Sequence, residues 1–132
     1  MELEAALRLK PDFAAAHGAL GNALAETPGR MPGAVVEYQA ALRLDPSLAG
    51  AHFGLGSALA QIPGRVAEAI PEFQAALRLR PDYWEAHYNL GRAFLETGRL
   101  PESIAEYEAV LQTHPDARIQ QLIDQLRVRA SK

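Results

Sequence analysis

The stretch His17-Gly18-Ala19-Leu20-Gly21-Asn22-Ala23-Leu24 returns as His52-Phe53-Gly54-Leu55-Gly56-Ser57-Ala58-Leu59 and again as His87-Tyr88-Asn89-Leu90-Gly91-Arg92-Ala93-Phe94, with 35 residues between successive histidines. Self-similarity at a fixed period of this length marks a repeat array, in which each unit buries its apolar face on its neighbours. A second stretch, Glu37 to Pro46, recurs as Glu72 to Pro81 and more loosely in the residues leading to Pro115. Its tail already stands at Leu3 to Pro11, so the chain is read as beginning halfway through a unit.

Each unit carries the same punctuation. Pro11, His17, Gly29, Tyr38 and Pro46 mark the first, Pro46, His52, Gly64, Phe73 and Pro81 the second, and Pro81, His87, Gly98, Tyr107 and Pro115 the third. Between the marks lie two stretches rich in Ala, Leu, Glu, Gln and Arg, the residues of best helix propensity, so each unit is a helical hairpin. Asp12, Ser47, Asp82 and Asp116 follow prolines and offer side-chain oxygens to a first turn, with Glu85 completing a capping box after Asp82. Gly29, Gly64 and Gly98 suit the left-handed conformation that ends a helix, and Pro32 and Pro101 sit where the next one starts. Pro71 falls inside a helix, so a distorted first turn is expected there.

Helical spacing puts Ala16, Leu20, Ala23 and Leu24 on one stripe of the first helix and Val35, Tyr38, Ala41 and Leu42 on the facing stripe of the second. Gly21, Gly56 and Gly91 let the paired helices approach closely. Eight helices follow: a lone one over residues 2–9, three hairpins, and a closing helix from about Ala117 to Arg129. The last shows Ile119, Leu122, Ile123 and Leu126 on one face and Gln120, Gln121, Asp124, Gln125 and Arg127 elsewhere, as a polar-backed cap should. The organisation is a single array over 1–132, divided into a half repeat (1–11), repeats at 12–46, 47–81 and 82–115, and a capping helix (116–132).

Composition excludes several classes. The net charge is −3 and no Lys/Arg run occurs, so nothing favours a phosphate backbone or an anionic membrane. With no cysteine there is no disulfide framework and no thiolate metal site, which suits a reducing, cytoplasmic setting. Neither a signal peptide nor an apolar run of membrane-spanning length is present in the sequence.

The residues resemble the tetratricopeptide repeat family. His17-x-x-Leu20-Gly21-x-x-Leu24, Ala34-x-x-x-Tyr38 and Pro46 match its pattern except for a histidine in the tryptophan slot. Leu55, Gly56, Leu59, Ala69, Phe73 and Pro81 match in the second unit, and Leu90, Gly91, Phe94, Tyr107 and Pro115 in the third. Departures are an extra turn residue in two units, Ser103 where alanine is expected, and Pro71. The resemblance implies an all-α, right-handed superhelical solenoid whose concave surface, lined by the first helix of each hairpin, binds an extended peptide or a partner protein. On this chain that surface falls on Ala15, Gly18, Asn22, Ala25 and Glu26; on Gly50, Phe53, Ser57, Ala60 and Gln61; and on Glu85, Tyr88, Asn89, Arg92, Leu95 and Glu96.

Within this set Asn22, Phe53, Ser57, Tyr88, Asn89, Arg92 and Glu96 are the expected partner-binding residues, since this face differs between units while the core columns repeat. Phe53 and Tyr88 are aromatic anchors at matching places, and Arg92, four residues after Tyr88, is placed to lie over its ring or to fork onto a carboxylate. A full carboxylate clamp is not expected, because Gly18 and Tyr88 stand where lysines are wanted. An asparagine ladder like that of the sugar-transferring repeat enzymes is not expected either, since its column reads Ala19, Gly54, Asn89.

The three equivalent histidines cannot converge on one ion, because neighbouring helices pack about 8–10 Å apart and a zinc ligand must come within about 2.1 Å. They are read as packing, and His114 as surface. Ser57, Glu85 and His87 supply reactive residue types without any catalytic motif. The expectation is a non-catalytic protein-binding scaffold without metal or cofactor. Self-association through the N-terminal half repeat is a further expectation. The alternatives are an architectural, self-associating segment or the docking arm of a larger enzyme.

Overall fold

The computed structural model describes residues 2–132, with side chains from residue 12 onward. Seven helices follow one another: α1 (Glu2–Ala25), α2 (Met31–Leu44), α3 (Ala49–Gln61), α4 (Val66–Leu79), α5 (Trp84–Glu96), α6 (Leu100–Thr113) and α7 (Ala117–Ala130). No strand occurs among the described residues, and none of the helices is long and apolar enough to cross a membrane. The pairs α1/α2, α3/α4 and α5/α6 form hairpins, α2 packs on α3 and α4 on α5, and α7 closes the array against α6. The fold is an all-α solenoid of helical hairpins.

The turns behave as the glycines require. Gly29, Gly64 and Gly98 have φ of 80°, 82° and 79°, a region in which a Cβ is strained. Pro32 and Pro101 occupy the second positions of α2 and α6, where a missing N–H is harmless. Pro71 lies inside α4, and that helix closes its first turn with a tight bond from the Glu68 N–H to the Arg65 carbonyl at 3.1 Å. In α2 and α6 the corresponding bonds span a full α-turn, from Ala34 to Arg30 and from Ser103 to Arg99.

The expected caps are corrected by the coordinates. Helices α3 and α5 begin at Ala49 and Trp84, two residues past Ser47 and Asp82, with Leu48 and Tyr83 at their N-caps and no side-chain cap. Asp45 accepts from the Ser47 N–H at 3.0 Å and from its hydroxyl, so the polar residues around Pro46 stabilise the turn and not the helix. Only Asp116 caps as expected, accepting from the Arg118 N–H at 2.8 Å.

Two further corrections concern α1. The lone helix over residues 2–9 is not separate: α1 runs on to Ala25, giving seven helices in place of eight. At Pro46 and Pro81 the turn is pinned by stacked hairpins on both sides, whereas residues 2–10 precede the first hairpin, and their Glu, Leu, Ala and Arg composition lets the helix continue. The expected core stripe of α1 is also displaced. Leu20 is 47% exposed, and Ala16 and Ala23 are exposed too, while Leu55 and Leu90 in the same column are buried. A column of this kind is covered by the second helix of the preceding hairpin, and α1 has none against it.

Elsewhere the stripes hold. Ala34, Val35, Tyr38 and Ala41 of α2, with their equivalents Ala69, Ile70, Phe73 and Ala76 of α4, are buried. One core runs from α2 to Leu90, Ala93 and Phe94 of α5, and a second joins α6 to Ile119, Ile123 and Leu126 of α7. A Cβ on Gly21, Gly56 or Gly91 would meet the Tyr38, Phe73 or Tyr107 ring at 2.8, 2.8 and 3.0 Å, so the aromatic of each second helix rests directly against its partner's backbone. Ser103 is fully buried, and its hydroxyl donates to the Gly91 carbonyl at 2.7 Å, which explains a polar residue in an alanine slot.

The histidines are clasps. His17, His52 and His87 place Nδ1 at 2.7, 3.0 and 2.8 Å from carboxylate oxygens of Glu37, Glu72 and Glu106 on the facing helix. Nε2 of His52 and His87 lies 3.1 and 3.2 Å from the carbonyls of Pro46 and Pro81. The rings of His52 and His87 thus touch both the facing helix and the turn before their own hairpin.

Candidate functional site

The inner surface is built from α1, α3 and α5, whose neighbours touch along it, and is completed by α7. Because α7 packs on α6, the space between it and α5 stays open. A cavity of about 580 Å³ fills that gap, walled by Phe53, Trp84, Tyr88, Ile119 and Leu122, with Glu85, Asn89, Asp116 and Arg118 at its edge. A smaller cavity of about 280 Å³ adjoins it between α3 and α5, lined on its polar side by Ser57, Gln61, Asn89, Arg92 and Glu96. Asn89 borders both.

Six of the seven expected residues therefore line one continuous region. Phe53 and Tyr88 wall the apolar cavity, Ser57, Arg92 and Glu96 the polar one, and Asn89 joins them. Asn22 is separate. It lies on α1 beside a shallower hollow with Gly18 and Gly50, and its side-chain oxygen accepts from the Tyr38 hydroxyl.

The anchors are held by other rings. Phe53 packs on Tyr83 with centroids 4.8 Å apart and on Phe73 at 6.0 Å, and the Tyr83 ring also carries the Arg80 guanidinium, 4.4 Å from its centroid. Tyr88 meets Tyr107 edge-on at 5.8 Å, and Trp84 packs against His114 at 4.3 Å. Such contacts fix ring orientation before any ligand arrives. Arg92 does not stack on Tyr88; it is exposed and turned to the polar cavity beside Glu96. Burial, reinforced by Tyr88, pushes the Tyr107 phenol up to about 12, and burial likewise raises Tyr38 and Tyr83.

Sequence reasoning missed Trp84 and the α7 wall. Trp84 is the only tryptophan and begins α5, which was a signal. Ile119 and Leu122 carried none, since an apolar stripe on a closing helix reads as core, and Ile119 is indeed also core.

Models of the family cover most of the chain. One, described as tetratricopeptide repeat, matches residues 63–118, and another, described as TPR repeat, matches residues 29–62, so the two abut. The chain belongs to the tetratricopeptide repeat family. Comparison with the curated proteins gives no match. Among solved structures, this tetratricopeptide repeat array resembles the first TPR of Spaghetti (RPAP3) bound to the HSP90 peptide SRMEEVD, with TM-score 0.83 and 20% identity over 92% of this chain and 95% of that one. MamA gives TM-score 0.83 and 25% identity over 97% and 74% of the two chains. The Yersinia enterocolitica type III secretion chaperone SycD in complex with a peptide of the translocator YopD gives 0.79 and 16% over 90% and 95%.

Proposed function

We propose that this array is a non-catalytic scaffold that seats an extended segment of a partner protein across α3, α5 and α7. The observation that carries the reading is the pair of adjoining cavities meeting at Asn89, one walled by pre-oriented aromatic and aliphatic side chains and the other by polar ones. A large apolar residue of the partner fills the space between Tyr88, Trp84 and Leu122. The following residues run past Asn89, whose amide, with the Ser57 hydroxyl, pairs with peptide backbone. Arg92 receives a local acidic group, and Glu85 and Glu96 disfavour a strongly acidic segment. The Spaghetti and SycD structures hold peptides on the same fold, which supports a peptide as the class of ligand.

The test is calorimetric binding of a peptide library built around one aromatic or leucine residue, followed by variants. Leu122→Ser is expected to weaken the selected peptide about tenfold or more, as the loss of a buried anchor contact does. Arg92→Ala should weaken only peptides that carry an acidic residue after the anchor. Equal affinity in wild type, Leu122→Ser and Arg92→Ala, with melting unchanged, would place the site elsewhere.

A further inference from the structure

Beyond the groove, we infer that two copies of this chain exchange residues 2–10, each copy laying this segment on the exposed face of the other's α1. The face is apolar and uncovered: Phe13 is 54% exposed and Leu20 47%, with Ala16 and Ala23 exposed on the same stripe. The rest of the chain shows what belongs there. The same columns on α3 and α5, Ala51, Leu55 and Ala58 and then Ala86, Leu90 and Ala93, are buried, because α2 and α4 lie on them.

Residues 2–11 spell that covering helix. Glu2, Ala5, Ala6, Leu7, Arg8, Leu9 and Pro11 reproduce Glu37, Ala40, Ala41, Leu42, Arg43, Leu44 and Pro46, with Leu3 in the Tyr38 place. Nine residues of helix span about 14 Å, enough to cover residues 12–20, which carry Phe13, Ala16 and Leu20. Yet α1 is continuous from Glu2 to Ala25, so the segment follows the axis of α1 and is carried away from that helix's own face. A second copy can bring it back.

The register agrees. In the interior of the array Tyr38 rests against Gly54, whose Cβ would meet its ring carbon at 2.5 Å. The equivalent positions are Leu3 and Ala19, which stand eight residues on either side of Pro11. A two-fold axis at Pro11 therefore sets the two α1 helices antiparallel, and it places Leu3 of one copy at Ala19 of the other. This is an isologous contact that closes on itself.

Because the chain has no cysteine, the exchange can be read without background. Sedimentation velocity of the full chain is expected to show a dimer that dissociates on dilution, and Leu20→Glu, at a half-exposed position, should raise its dissociation constant about tenfold or more with helicity unchanged. A chain carrying both Leu3→Cys and Ala19→Cys should oxidise to a covalent dimer. A concentration-independent monomer overturns the inference. So does a covalent monomer from the double variant, which would mean that the segment turns at Pro11 and folds back on its own α1.

Discussion

Tyr38 shows how one ring sets the spacing of three helices. It lies between Gly21 of α1 and Gly54 of α3, with its hydroxyl on Asn22, so it has no direction in which to yield. Gly54→Ala is expected to cost about 1–3 kcal/mol in urea melts, the usual penalty for overpacking a closed site. A variant as stable as wild type would show that the ring can move. The Leu-Gly repeat made Gly21 legible, but Gly54 was read only as a place in the asparagine column and Asn22 as a groove residue. Their partner is a hydroxyl 16 residues from Asn22, and Phe73 in the next unit has none to offer. Tyr107 gives a second prediction. Its phenol ionises at about 12 when folded against 10.0 ordinarily, so the folded state keeps a proton that the unfolded chain loses. Its contribution is intact below pH 10 and lost as pH rises toward 12. Thermal melts should fall across that interval, and Tyr107→Phe should fall less; parallel curves would reject the assignment.

At the scale of the helix, position in a repeat does not decide burial; the neighbour does. Leu20 and Leu55 are the same residue in the same column, 47% and 5% exposed. Leu55→Ala should therefore cost about 2–5 kcal/mol, as a buried large-to-small change does, and Leu20→Ala, measured in dilute protein, under about 1 kcal/mol. Similar losses in denaturant melts would mean that α1 is covered in the monomer. Hairpins, glycine turns and the polar back of α7 were all legible, because each is set by a residue's own conformational preference or by helical spacing. The starts of α3 and α5 were not, since Ser47 bonds to Asp45 within its turn, Asp82 lies 3.8 Å from Arg80, and neither takes the cap role. The continuity of α1 was hidden for a related reason: a proline disfavours an interior helical position without forbidding it, and at Pro46 and Pro81 the hairpins on either side hold the turn.

On the scale of the whole array, the groove's polar residues were readable as differences between units, while its far wall on α7 appears only once the helices are stacked. Stacking also makes the two inner seams unequal. Between α1 and α3 the Tyr38 ring is wedged backbone to backbone. Between α3 and α5 the tie beside the 280 Å³ cavity is a long bond from the Asn89 amide to the Ser57 hydroxyl, 3.4 Å. Spin-label pairs across α3 and α5 should give a broader distance distribution than pairs across α1 and α3, and equal widths would count against the difference. Such a difference would make the solenoid a spring with one stiff coil and one compliant coil. In the groove proposed above, a bound segment crosses the more loosely tied of the two seams, so the array would answer its guest there first.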